Sequence, residues 1–83
     1  KEQLVIVGEY SEEMEADLAQ LHQLFIDEVI LVKTSTNSEF LEKVAPFTAD
    51  MKSKDGKTTF YLCKDYACQS PTTDLSEIMN QLS

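Results

Sequence analysis

Arginine is absent from the 83 residues, and seven lysines face fifteen acidic side chains, for a net charge of −8. Nucleic-acid partners call for a basic face, and arginine supplies the bidentate contacts to phosphate and guanine. The composition therefore excludes DNA and RNA as expected partners, and anionic membrane surfaces with them. Two cysteines are too few for a disulfide-built mini-protein, so the core has to come from packing. Long apolar runs are missing. Leu4–Val7 and Val29–Val32 are the longest, far short of a membrane span. No charged n-region followed by an apolar stretch opens the chain, so a signal peptide is not expected and the expected location is cytoplasmic.

Histidine occurs once, at His22, with no partner at helical spacing. No metal site is expected, because Cys63, Cys68 and His22 make a trio only if the fold brings them together. The G-x-G-x-x-G pattern is missing after Gly8, where Glu9, Tyr10, Ser11, Glu12 and Glu13 follow. Two acids at a helix start repel phosphate, so no nucleotide cofactor is expected. A G-x-S-x-G elbow is missing too, which argues against Ser-His-Asp hydrolysis. No catalytic constellation remains, and no cofactor of any kind is expected.

What is present reads as alternating strands and helices. Leu4-Val5-Ile6-Val7 and Val29-Ile30-Leu31-Val32 are continuous apolar runs, the pattern of strands buried on both faces. Between them, Ser11 reads as an N-cap, Glu12 and Glu13 suit the positive end of a helix dipole, and Met14, Leu18, Leu21 and Phe25 recur at helical spacing. Asp27-Glu28 ends that pattern. Thr36 with Glu39 reads as a capping box for a second helix, with Asn37 and Ser38 competing for the cap. Its stripe is Phe40, Leu41 and Val44, and Pro46 stops it near Ala45, with Phe47 packing just beyond. Asp55-Gly56 is the apex of a turn. Thr58 to Cys63 alternates, with Thr59, Tyr61 and Cys63 on one face and Phe60 and Leu62 on the other. Asp74 with Glu77 opens a last helix striped by Leu75, Ile78, Met79 and Leu82.

The β-α-β-α-β-α order predicts one α/β domain over residues 1–83 with a small three-stranded parallel sheet and helices on both faces. The expected strand order is 2-1-3, with 1-2-3 as the alternative. In order 2-1-3 the topological switch point lies between the first and third strands, where open α/β sheets bind ligands. That would set Gly8 and Glu9 against Lys64, Asp65 and Tyr66, and Glu9 with Asp65 would be an acid/base pair or two solvated loop carboxylates. The abrupt opening on Lys1 suggests a piece of a longer protein.

Cys63 and Cys68 are the candidate redox or disulfide pair. Their C-x4-C spacing is neither the C-x2-C of thioredoxin-like sites nor a usual zinc knuckle. Two free thiols, a structural or reversible disulfide, and a redox couple all stay open. Tyr61 and Tyr66 flank the pair and read as packing residues.

The run from Phe60 to Asp74 resembles the C-terminal end of the large thioredoxin-domain family that includes the spermatogenesis-associated, thioredoxin-like proteins of animals. Tyr61, Cys63, Tyr66, Cys68, Gln69, Pro71, Thr73 and Asp74 carry the match, and Ala45-Pro46-Phe47 and Asp55-Gly56-Lys57 extend it. The resemblance covers nearly the whole chain, and the cysteine-to-aspartate run is its specific part. It implies a C-terminal accessory domain, following a thioredoxin-like domain and a helical toroid similar to glycan-processing α/α barrels. The preceding domains of the same chain are then its expected partners, and no standalone catalysis is expected. The family's redox cysteines and sugar-site carboxylates belong to those other domains, so none maps onto a residue here. Its C-terminal cysteine pair maps onto Cys63 and Cys68 without an assigned role.

Overall fold

A computed structural model describes residues 2–24 and 29–82. Phe25 and Asp27-Glu28, which the sequence reading used for the end of the first helix, lie outside the described residues. The elements in chain order are strand β1 (Glu2–Val7), helix α1 (Glu12–Leu24), strand β2 (Val29–Lys33), helix α2 (Ser38–Val44), a 3-10 turn (Pro46–Thr48), strand β3 (Thr59–Lys64), strand β4 (Ala67–Cys68) and helix α3 (Leu75–Leu82).

The strands form one four-stranded sheet in the order β2-β1-β3-β4. The 2-1-3 order predicted from sequence is present, but the sheet is neither three-stranded nor parallel throughout. β1 pairs with β2 in parallel, whereas β3 runs antiparallel to β1, from Val7↔Thr59 to Glu2↔Lys64. The cause lies between α2 and β3. Helix α2 carries the chain away from the Val7–Lys33 end of the sheet, and its last residues come to Gln3 and Val29 at the other end. Pro46 stops the helix there, and residues 46–51 climb back. They are held at the starting end by Lys33, whose ammonium donates to Thr48 O at 2.7 Å and Met51 O at 3.0 Å. The chain enters β3 from the end at which it left β2, so β3 has to run the opposite way.

Both faces of the sheet are covered. Leu4 and Ile6 of β1 with Phe60 and Leu62 of β3 pack against Met14 and Leu21 of α1 and Ile78 of α3. Val5, Val7 and Cys63 face the other side, against Met51 and Phe47. β1 is thus the central strand, which accounts for its unbroken apolar run. β2 is only half-buried, because it is an edge strand. β3, which the sequence placed at an edge, is closed off by β4 and by the Phe60–Thr72 bridge.

Local capping follows the sequence in part. Ser11 Oγ accepts from Met14 N at 3.0 Å, as its N-cap position requires. At α2 the expected Thr36–Glu39 box gives way to a Thr34–Asn37 pair, in which Thr34 N donates to Asn37 Oδ1 at 2.8 Å and Asn37 N to Thr34 Oγ1 at 3.3 Å. At α3, Asp74 Oδ1 accepts from Ser76 N at 3.0 Å, while Glu77 reaches back to the Thr72 hydroxyl at 2.6 Å instead of closing the box on Asp74.

Candidate functional site

The antiparallel β3 separates the residues that the parallel reading brought together. Gly8 and Glu9 follow β1 at one end of the sheet, and Lys64, Asp65 and Tyr66 sit at the other, beside Glu2 and Gln3. Glu9 does not meet Asp65. Its carboxylate accepts from the backbone N–H and the hydroxyl of Ser35, each at 3.0 Å, and ties the β1–α1 loop to the β2–α2 loop. The cleft beside Gly8 is lined by Glu9, Glu13, Asp17 and Asp74 against Lys57, a charge balance hostile to phosphate. In that cleft, burial and then the nearby Glu13 carboxylate push Asp17 above the usual aspartate range.

Cys63 and Cys68 form a disulfide across the β3–β4 hairpin. The two residues are direct register partners, between the Lys64↔Ala67 pair and the Gln69 N–H bond to Leu62 O at 2.9 Å. This is the non-hydrogen-bonded type of antiparallel pair, where side chains stand closest. Cys63 is buried at 1% exposure, and Cys68 is exposed. The crosslink closes a short loop, which corresponds to a stabilisation of about 2 kcal/mol on the chain-entropy account.

The turn inside that loop is unusual. Asp65 and Tyr66 both have positive φ, 52° and 67°. A two-residue turn with both centres left-handed is a type I′ hairpin, which asparagine and glycine favour. Left-handed backbone costs a non-glycine residue roughly 1–2 kcal/mol, less for aspartate. The crosslink and the turn strain therefore have similar size and opposite sign. The Asp55-Gly56 turn, by contrast, meets the same requirement with a glycine at its second centre, at φ 68°.

Tyr66 extends from this hairpin over the α2 side of the domain. Its ring stands edge-on to Phe47, with centroids 5.2 Å apart, and its N–H donates to Gln3 Oε1 at 3.3 Å. Together Tyr66, Phe47, Val29, Leu31, Leu41 and Val44 line a groove of about 640 Å³. The rim is apolar and open. Val44 is 61% exposed, Tyr66 67%, and the neighbouring Phe40 on α2 67%.

Sequence reading named Tyr66 but missed Val29, Val44 and Phe40, which it assigned to buried faces. The sequence held no signal for this: Phe40, Leu41 and Val44 share one apolar stripe of ordinary width, yet only Leu41 is buried. Lys33 was missed as well. Its 5% exposure and two carbonyl partners make it the anchor of the return segment. His22 is exposed on α1, the helix on the face opposite Cys63. Among the described residues no group of three His, Cys, Asp or Glu side chains is placed to hold a metal ion, and no helix is long and apolar enough to cross a membrane.

No family model and no solved structure matches the chain. Curated proteins do. Spermatogenesis-associated protein 20 of Homo sapiens is 29% identical over 82 residues, 96% of this chain but 10% of the human protein. The Rattus norvegicus and Mus musculus proteins of the same name are 28% and 27% identical over the same length. The family that the Phe60–Asp74 run resembles is thus matched along nearly the whole chain: these residues are similar to one segment, about a tenth, of the spermatogenesis-associated protein 20 of human, rat and mouse.

Proposed function

We propose that this α/β unit is an accessory domain, with no catalysis of its own, that docks its α2 face against neighbouring parts of a longer chain. The observation that carries this reading is the open apolar groove of Val29, Val44, Phe47 and Tyr66, with Phe40 beside it, on a chain that is otherwise strongly acidic. An apolar patch of this kind marks an interaction surface more often than chance exposure. The matched relatives are about ten times longer, which supports a surface of the same polypeptide as the occupant. The family resemblance points to a thioredoxin-like domain and a helical toroid as those neighbours. The absence of arginine and the net charge of −8 support a protein surface over nucleic acid.

The test is made in a longer chain that carries this segment. Phe40→Asp with Val44→Asp should loosen the domain, so that limited proteolysis releases it as a folded fragment. If the double variant resists cleavage as the parent does, docking through this face is wrong.

A further inference from the structure

We propose that the Cys63–Cys68 disulfide is a redox latch on the docking face, closed when oxidised and opened by a dithiol reductant. The inference rests on the docking reading for its consequence, but its structural core stands apart from it.

Four observations converge on the hairpin. The turn residues Asp65 and Tyr66 are held left-handed without a glycine. β4 has only two residues, so little ladder opposes their relaxation once the crosslink is cut. Tyr66 is the hairpin's contribution to the apolar groove, through its ring contact with Phe47. Downstream, Phe60 and Thr72 exchange backbone hydrogen bonds of 2.7 Å and 3.1 Å, which fixes where opening must stop. The mobile unit is therefore bounded to the segment between β3 and Thr72.

Access decides the chemistry. Cys68 is exposed and Cys63 buried, so a thiolate of the dithiol attacks Cys68 Sγ. A mixed disulfide forms and Cys63 leaves as thiolate, taking a proton. The second thiol of the reductant then attacks its own mixed-disulfide sulfur and expels the Cys68 thiolate, which is protonated in turn. Two electrons pass to the protein, and the dithiol leaves as a disulfide. With the crosslink gone, Asp65 and Tyr66 relax from the left-handed region and the Tyr66 ring leaves Phe47, which reshapes the docking groove.

The experiment compares the chain with and without dithiothreitol, by alkylation mass and by amide exchange. Two thiols should alkylate only after reduction. Exchange at the Tyr66 and Gln69 amides should then accelerate by about tenfold or more, while Val5 and Ile6 keep their protection. The double variant Asp65→Asn with Tyr66→Gly favours the type I′ turn without a crosslink, and its Gln69 amide should stay protected in both states. Thiols that alkylate without reductant, hairpin exchange indifferent to reduction, or unfolding of the whole chain on reduction would each overturn the latch. These readouts need no partner, so they fail or succeed independently of the docking reading. In the longer chain, reduction should promote proteolytic release of the domain, whereas Phe40→Asp with Val44→Asp releases it in either redox state.

Discussion

The ammonium of Lys33 lies 3.0 Å from Glu42 Oε2 while it donates to the carbonyls of Thr48 and Met51. One buried cation thus joins β2, α2 and the segment that climbs back toward β3. Replacing it by methionine keeps the aliphatic stem but leaves two carbonyls and a carboxylate without their donor. Lys33→Met should destabilise the domain by about 2–4 kcal/mol. Glu42 is partly exposed, so Glu42→Gln should cost under about 1 kcal/mol. Urea unfolding of both variants measures the difference, and equal effects would reject the anchoring role.

Asp17 gives a pH dependence. Its carboxyl titrates above its ordinary 3.8 in the folded state, through burial and then Glu13. The folded chain therefore binds this proton more tightly than the unfolded chain. The associated stability is fully present below pH 3.8 and is lost as pH rises through the folded-state value. Asp17→Asn, which also relieves an i,i+4 repulsion, should stabilise by about 0.2–0.5 kcal/mol at neutral pH. That gain should vanish in acid, as read from thermal unfolding at a series of pH values.

The two glycines should respond unequally to alanine. At Gly56 an added Cβ meets nothing within 4 Å, so only the left-handed backbone at φ 68° resists, for a cost of about 1 kcal/mol. At Gly8 a Cβ would stand 3.3 Å from the Thr58 backbone and 3.3 Å from Met14 Cε. Gly8→Ala should therefore be the more damaging change, and chemical denaturation of the pair ranks them.

Removing the crosslink tests the balance at the hairpin. Cys68→Ala should cost about 2 kcal/mol or less, because relief of the Asp65–Tyr66 turn offsets part of the lost entropy term. In the Asn-Gly turn background there is no such relief, and the same substitution should cost more. A double-mutant cycle by thermal unfolding reads the coupling.

The parts of this fold that rest on local chemistry were legible in the sequence. Leu4–Val7 reads as a strand buried on both faces and is one, although the equally apolar Val29–Val32 reads the same way and is a half-buried edge strand. Ser11 reads as a cap because its hydroxyl has one nearby donor to satisfy, and Asp55-Gly56 as a turn because glycine tolerates positive φ. The face assignment of Tyr61 and Cys63 against Phe60 and Leu62 also holds. Strand direction was not legible, since a period-two pattern reads the same both ways. It is decided by residues 46–52, which are held by partners remote in sequence. Lys33 binds Thr48 and Met51, and the Tyr61 hydroxyl accepts from Lys52 N at 3.1 Å and donates to Lys52 O at 2.7 Å. β4 was missed because two residues carry no periodicity and Asp65-Tyr66 lacks the usual hairpin residues. The candidate docking face depended on the same unknowns, because the position of Tyr66 follows from the direction of β3.

The pairing of Glu2 with Lys64 has a consequence for biosynthesis. Within this unit β1 is synthesised before its partners, yet the β3 residues that pair with it lie 52 to 62 residues further along the chain. During translation β1, α1 and β2 can associate, but one edge of Leu4–Val7 stays open until β3 emerges. An apolar edge open for that long invites pairing with other nascent chains. Such non-local closure is also slow. Folding of this unit should therefore finish only after its last strand is released, with aggregation, not misregistered packing, as its characteristic failure.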